Sequence, residues 1–259
     1  MVARPPVADT SVGRALRVVE VVAEAGDGVT TKSIARRLGL TLPTTYRLLA
    51  TLVDEGYLVR LHEPRGYGLG YRLGELARRL SDQLAMPWPV RGILHEVHRS
   101  AEGAAYYAVF RDDLVVVAHV DDCPTHPAPA VLRIGQPVPA HAVAAGKVLL
   151  AGADRRRLAE LLVEPLRPLT GKTVVDGAGL VRELERVREA GVAVELGELL
   201  PGRAGLAAPV RGNRGEVIGA LGISVTGSDF APRRAGLERV VRDGAARATH
   251  ELAERSAAG

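Results

Sequence analysis

The chain has 259 residues, 47% hydrophobic and 25% charged, which suits two globular domains of ordinary size and excludes a disordered or fibrous protein. Formal net charge is +4, and residues 1–83 hold 12 Lys+Arg against 9 Asp+Glu while residues 84–259 hold 22 against 21, a mild basic excess placed in the N-terminal part. The single cysteine, Cys123, excludes an intrachain disulfide, and aromatics at 3% count against a base-stacking platform for single strands.

Residues 1–10, with Pro5 and Pro6 and no periodic apolar pattern, read as a loose tail without the apolar core of a signal peptide. No run approaches the roughly 18 apolar residues of a membrane span, so the expected location is cytoplasmic. Ser11 is placed as the N-cap of a helix that carries Leu16, Val19 and Val22 and stops at Gly26-Asp27-Gly28. Thr31 is placed as the cap of a second helix, whose Ile34, Ala35 and Leu38 form one stripe and whose end is Gly39. A third helix begins near Thr41, tolerates Pro43 in its first turn and turns Thr45, Leu48, Leu49 and Leu52 inward. Residues 57–61 alternate as a strand, and 67–69 return beside them after the turn Glu63-Pro64-Arg65-Gly66. Leu73, Leu76, Ala77 and Leu80 mark another helix, interrupted around Met86-Pro87-Trp88-Pro89, where the linker is placed.

Helix, turn, helix and hairpin in that order is the layout of a winged helix that reads duplex DNA. The outward face of the third helix holds Thr44, Arg47 and Thr51, with Tyr46 at its flank and Thr41 at its start. Short polar groups and an arginine on an apolar-backed helix suit the major groove. Arg47 can grip guanine bidentately or clamp a phosphate, and both roles stay open. Thr31 and Lys32 begin the preceding helix, where backbone N–H groups and a cation can meet a phosphate. Arg65 at the hairpin tip is placed to reach the minor groove or its phosphates.

After Pro89 the pattern becomes α+β. Helices are expected around Ile93, Leu94 and Val97, and over 142–151, 155–163, 180–190 and 237–253. Strands are expected over 105–110, 114–120, 192–196, 206–210 and 217–225, with an irregular, Pro-rich stretch at 121–140. A central antiparallel sheet with helices on its faces follows. Gly171-Lys172-Thr173 lacks the glycine that a phosphate loop needs five positions earlier, and no Gly-x-Ser-x-Gly elbow occurs. Cys123 and His126, even with His141, are weak ligand evidence, so neither a metal nor a cofactor is expected.

The stretch SVGRALRVVEVVAEAGDGVTTKSIARRLGLTLPTTYRLLATLVDEGYLVR, followed by GYGLGYRLGELA, resembles the N-terminal domain of the isocitrate-lyase-regulator (IclR) family of bacterial transcription factors. PAHAVAAGKVLLAG (139–152) and GVAVELGELLPGRAGLAAPVRGNRGEVIGALGISV (191–225) resemble its second half. The resemblance implies a tail at 1–10, a winged helix-turn-helix domain at 11–72, a linker helix at 73–89 and a GAF-like effector domain at 90–259. It implies a non-enzymatic regulator, more commonly a repressor, that pairs as a homodimer or dimer of dimers, binds operator DNA and takes a small, often acidic, metabolite. Carried over residue by residue, the effector positions are Ala144, Ala145, Gly146, Glu195, Gly205, Gly222 and Ser224. Glu195 stands where Asp is frequent, Gly205 where Cys is, and Gly222 where Ser is, so a roomier, less polar pocket is expected. Alternation along the last strand puts Gly222 and Ser224 on one face. Two competing readings stay open: a small-molecule enzyme docked by its N-terminal winged helix, and a winged helix that binds protein instead of DNA.

Overall fold

The computed structural model describes residues 10–83, 88–162 and 165–257, and contacts divide the chain into two units, Met1–Leu80 and Ser81–Gly259. The first contains α1 (Ser11–Ala25), α2 (Thr31–Leu38), α3 (Leu42–Asp54), β1 (Leu58–Leu61), β2 (Gly66–Leu69) and most of α4 (Tyr71–Gln83). A threonine caps each of the first three helices. Thr10 accepts from Gly13 N, Thr30 from Ser33 N and Thr41 from Thr44 N. The caps of α1 and α2 therefore stand one residue before the expected Ser11 and Thr31, because the threonine in extended backbone just outside the helix is the one that can turn back.

Val18, Val21 and Val22 from α1, Ile34 from α2, Leu49 and Leu52 from α3 and Leu58 from β1 close one core. Each fully buried aliphatic side chain contributes about 1.5–3 kcal/mol. Leu16, expected in the inward stripe, is 58% exposed; the stripe runs through Val18 instead. Gly66 and Gly70 let the hairpin lie against backbone: a Cβ on either would collide with Gly28 or Gly56. Tyr67 N donates to Val29 O at 3.0 Å and Gly28 N to Tyr67 O at 3.1 Å, stitching the wing to the segment before α2.

The second unit contains α5 (Trp88–Ala101), β3 (Ala104–Arg111), β4 (Leu114–Asp121), β5 (Pro137–Val138), a 3-10 turn at Ala140–Ala142, α6 (Ala144–Gly152), α7 (Arg155–Leu161), α8 (Gly177–Ala190), β6 (Ala193–Leu196), β7 (Arg203–Arg211), β8 (Val217–Thr226) and α9 (Gly227–Ala257). Its six strands stand in the order β5-β4-β3-β8-β7-β6, with every neighbour antiparallel. Helices α6 and α8 cover one face, and α5 and α9 the other. The expected α+β class, with an N-terminal helix-turn-helix and a C-terminal antiparallel sheet, holds.

Three boundaries differ from expectation. The stretch 121–140 includes the short edge strand β5, and residues 140–142 form a 3-10 turn, so α6 starts at Ala144. Met86 and Pro87 of the expected linker lie outside the described residues, whereas Trp88 and Pro89 open α5. The closing helix begins ten residues before 237: Thr226 Oγ1 accepts from Asp229 N and donates to Asp229 Oδ2, and that cap starts α9 despite Pro232 inside it.

Candidate functional site

Two sets of side chains concern function, one in each unit. On α3, Thr41 Oγ1 accepts from Thr44 N at 3.4 Å and donates to Thr44 Oγ1 at 2.9 Å. Thr45 is fully buried among leucines and satisfies its hydroxyl by donating to Thr41 O at 2.9 Å. Thr51 donates to Arg47 O at 3.1 Å, which leaves its oxygen lone pairs and methyl facing outward. Thr41, Tyr46, Arg47 and Thr51 are exposed and Thr44 is half-buried. The helix thus presents a polar front, already ordered by its own short hydrogen bonds, on a packed apolar back.

Lys32 is exposed near the start of α2, but Thr31 is buried, so only its backbone N–H can serve an anion. Arg65 is exposed in the wing turn. Two arginines escaped the sequence reading: Arg14 and Arg17 of α1 line one groove with Leu40, Thr41 and Thr44. Their three-residue spacing beside the valine stripe was the available signal.

In the second unit the strands align the other set in two adjacent rows. Glu195 lies opposite Gly205, Gly205 opposite Ser224 and Ser224 opposite Ala104; in the next row Ala193, Ala207, Gly222 and Tyr106 are partners. Tyr106, Ala193 and Ala207 pack with α6, so both rows face that helix, and Gly222 and Ser224 share a side as expected. Ala144 also meets this surface, since a Cβ on Gly205 would stand 3.7 Å from its Cβ.

The space expected at the glycines is filled. A Cβ on Gly205 would stand 3.3 Å from Glu195 Oε2, and one on Gly222 would stand 2.8 Å from Tyr106 Cζ. The roomier pocket is therefore corrected: the chain's own Glu195 and Tyr106 take the volume that two missing side chains leave. Gly146 serves close packing, because a Cβ there would collide with the Ala140 backbone.

These groups are enclosed and charged. Tyr106 is 1% exposed, and burial foremost, then the Glu195 carboxylate, makes its hydroxyl far less acidic than that of an ordinary tyrosine. Glu195 Oε1 accepts from Glu198 N at 2.5 Å and Leu199 N at 2.9 Å. Burial nevertheless raises the Glu195 pKa, the two N–H bonds opposing it. Lys147 is fully buried and its Nζ lies 2.6 Å from both Glu183 Oε1 and Glu198 Oε1. Glu198 Oε2 is buried with no partner among the described residues. Arg203 donates to Ser224 O at 3.2 Å and Ser224 Oγ at 3.1 Å, and it also lines an open groove with Lys172, Leu196 and Phe230. Burial lowers the Arg203 pKa, against the pull of Asp229 and Glu195.

Tyr106, Lys147, Glu183, Glu198 and Arg203 were not foreseen as part of this set. The lone lysine in the apolar run AAGKVLLAG was the one visible signal, because a cation there must find buried partners. The weak ligand candidates separate: Cys123 Sγ is 3.8 Å from His126 Nδ1, while His141 Nε2 turns to Arg167 O at 3.0 Å. Among the described residues no group of three His, Cys, Asp or Glu could hold a metal ion. His98 is buried against Gly103 O at 2.8 Å, and His95 pairs with Asp121 at 3.3 Å.

Residues 11–62 match the model of the IclR helix-turn-helix domain, and residues 88–250 match the model of the bacterial transcriptional regulator IclR C-terminal domain. A helix-turn-helix-type transcriptional regulator of Mycobacterium tuberculosis is 31% identical over 210 residues, covering 80% of this chain and 79% of its own. The crystal structure of IclR from Thermotoga maritima superposes with a TM-score of 0.79 at 22% identity, covering 93% of this chain and 98% of that one. An IclR homolog from Microbacterium hydrocarbonoxydans, crystallised with 4-hydroxybenzoate, superposes with a TM-score of 0.69 at 25% identity over 94% of this chain and 99% of its own.

Proposed function

This chain belongs to the IclR family of bacterial transcriptional regulators, DNA-binding proteins with a ligand-binding C-terminal domain, and we propose how its residues divide that work. Thr41, Thr44, Tyr46, Arg47 and Thr51 enter the major groove, while Lys32, the start of α2 and Arg65 hold phosphates on either side. The observation that carries this reading is the exposed Thr-and-Arg front of α3, backed by buried Leu49 and Leu52. One such helix spans few base pairs, so two copies present a pair of them to two half-sites, as a homodimer or a dimer of dimers. The enclosure formed by Ala144, Ala145, Glu195, Gly205, Gly222 and Ser224 receives the small-molecule effector, and the protein represses in the cytoplasm by binding, without catalysis. Among the described residues no helix is long and apolar enough to cross a membrane.

The effector can act only by binding the DNA-competent and DNA-incompetent states unequally. The test begins with genomic fragments selected on the purified protein. Arg47→Ala should lower affinity for the recovered site by about 1–3 kcal/mol, and affinity should fall steeply with salt, each phosphate contact adding about 0.9 to the log–log slope. An unchanged affinity in fluorescence anisotropy would return the winged helix to a protein-binding role.

A further inference from the structure

Three cations from three parts of the sheet unit line one groove of about 420 Å³ beside the turn that joins β6 to β7. Lys172 comes from the loop before α8, Arg203 from the head of β7 and Arg234 from α9. Leu196, Ala204 and Phe230 supply its apolar lining, and no carboxylate lines it among the described residues. That volume suits a small organic ligand. The groove is not the enclosure around Glu195. Leu196 and Ala204 are cross-strand partners that alternate with Glu195 and Gly205, so they face α9 while the enclosure faces α6.

Two observations set this groove apart from an ordinary solvated surface. The first concerns ion pairs. On α9, Arg233 pairs with Glu102, Arg242 with Glu238 and Arg247 with Glu96. Arg234 and the Lys172 ammonium, both exposed, have no such carboxylate among the described residues. The second concerns a buried donor. Arg203 Nε has no hydrogen-bond partner, although Nη2 of the same guanidinium donates to Ser224 O at 3.2 Å and Ser224 Oγ at 3.1 Å. An unpaired buried N–H is costly, and an acceptor in the groove would relieve it. Asp229 and Glu195 act on Arg203 through space, but neither lines the groove. Asp229 Oδ2 accepts from the Thr226 hydroxyl, and Glu195 Oε1 from two backbone N–H groups. A cleft lined by one sign of charge on apolar walls focuses its potential on a counter-ion.

We propose that this groove is a second ligand site, distinct from the effector enclosure, and that it takes a small organic acid with an apolar body. The carboxylate accepts from Arg203 Nε between Lys172 and Arg234, and the body lies against Leu196 and Phe230. The proposal goes beyond the functional reading and does not depend on what the enclosure binds.

The test is calorimetry on the full-length protein at low salt, with phenylacetate as the probe and acetate and 2-phenylethanol as matched controls. Phenylacetate should bind saturably and at least tenfold more tightly than either control, since acetate lacks the apolar body and the alcohol lacks the charge. The double variant Lys172→Gln/Arg234→Gln alters two exposed side chains outside the core and the enclosure, and it should weaken phenylacetate at least tenfold. Leu196→Glu, also at an exposed position, should do the same by setting a carboxylate at the groove. A wild type that does not bind phenylacetate, or binds a control as tightly, would overturn the proposal. So would binding that the double variant and Leu196→Glu both leave unchanged: the acid would then sit in the enclosure, which supports the functional reading and defeats this one.

Discussion

The two units handle polar side chains in opposite ways. In the helix-turn-helix unit the hydrogen bonds of the working face are local: Thr41 reaches Thr44, and Thr51 reaches back to Arg47, four residues away. Their outward atoms remain available to a partner. In the sheet unit the partners are remote: Lys147 meets Glu183 and Glu198, 36 and 51 residues along the chain. A surface meant for an external partner can be left open because water satisfies it meanwhile. Buried groups have no such substitute, so the fold must bring in protein partners from wherever the chain runs.

The largest test of that contrast is Lys147→Met. Removing the cation strands two carboxylates, and the sheet unit should lose about 3–5 kcal/mol in urea unfolding, with the transition of the helix-turn-helix unit unmoved. A loss below about 1 kcal/mol would mean that water reaches the pair, and the contrast would weaken. Next comes Gly222→Ser. The added Cβ meets the Tyr106 ring at 2.8 Å, so the side chain should overpack and cost about 1–3 kcal/mol. Combined with Tyr106→Ala, the same serine should cost less, which a double-mutant cycle reads directly.

Thr41→Ala probes the open side of the comparison. It removes the α3 cap and should lower the stability of the first unit by about 1 kcal/mol while leaving the sheet unit unchanged. The smallest effect is a pH trend. Because burial raises the folded-state pKa of Glu195, the folded protein holds that proton more tightly than the unfolded chain. The associated stability is complete below the unfolded value and is lost as pH rises through the folded one. Relative to Glu195→Gln, the wild-type melting temperature should therefore fall as pH rises from acid toward neutral.

The same contrast explains what could be read in advance. The recognition helix lies within thirteen consecutive residues, and its leucine stripe, proline and outward threonines all sit in one window. Five of the sheet's six strands, and the shared side of Gly222 and Ser224, follow from alternation alone. Cap positions slipped by one residue because Thr10 and Ser11, or Thr30 and Thr31, are chemically equivalent and only backbone geometry separates them. The enclosure was misread for a stronger reason. Glycine where Cys and Ser are frequent, at Gly205 and Gly222, reads as added volume in one dimension, yet cross-strand register sets Tyr106 opposite Gly222 and Glu195 opposite Gly205. No periodicity announces that pairing, nor that Lys147 points to two glutamates on different elements.

Ser224 sits three residues before Gly227, where a run of 31 helical residues begins without an intervening loop. At about 1.5 Å per residue that rod is about 46 Å long, so a tilt of about one degree at its head sweeps its tip through about 0.8 Å. The Arg203 clasp on Ser224 therefore ties β7 to β8 just ahead of that rod, whose buried Leu237, Val241, Ala245 and Ala248 would carry any such tilt into the packing of the sheet unit.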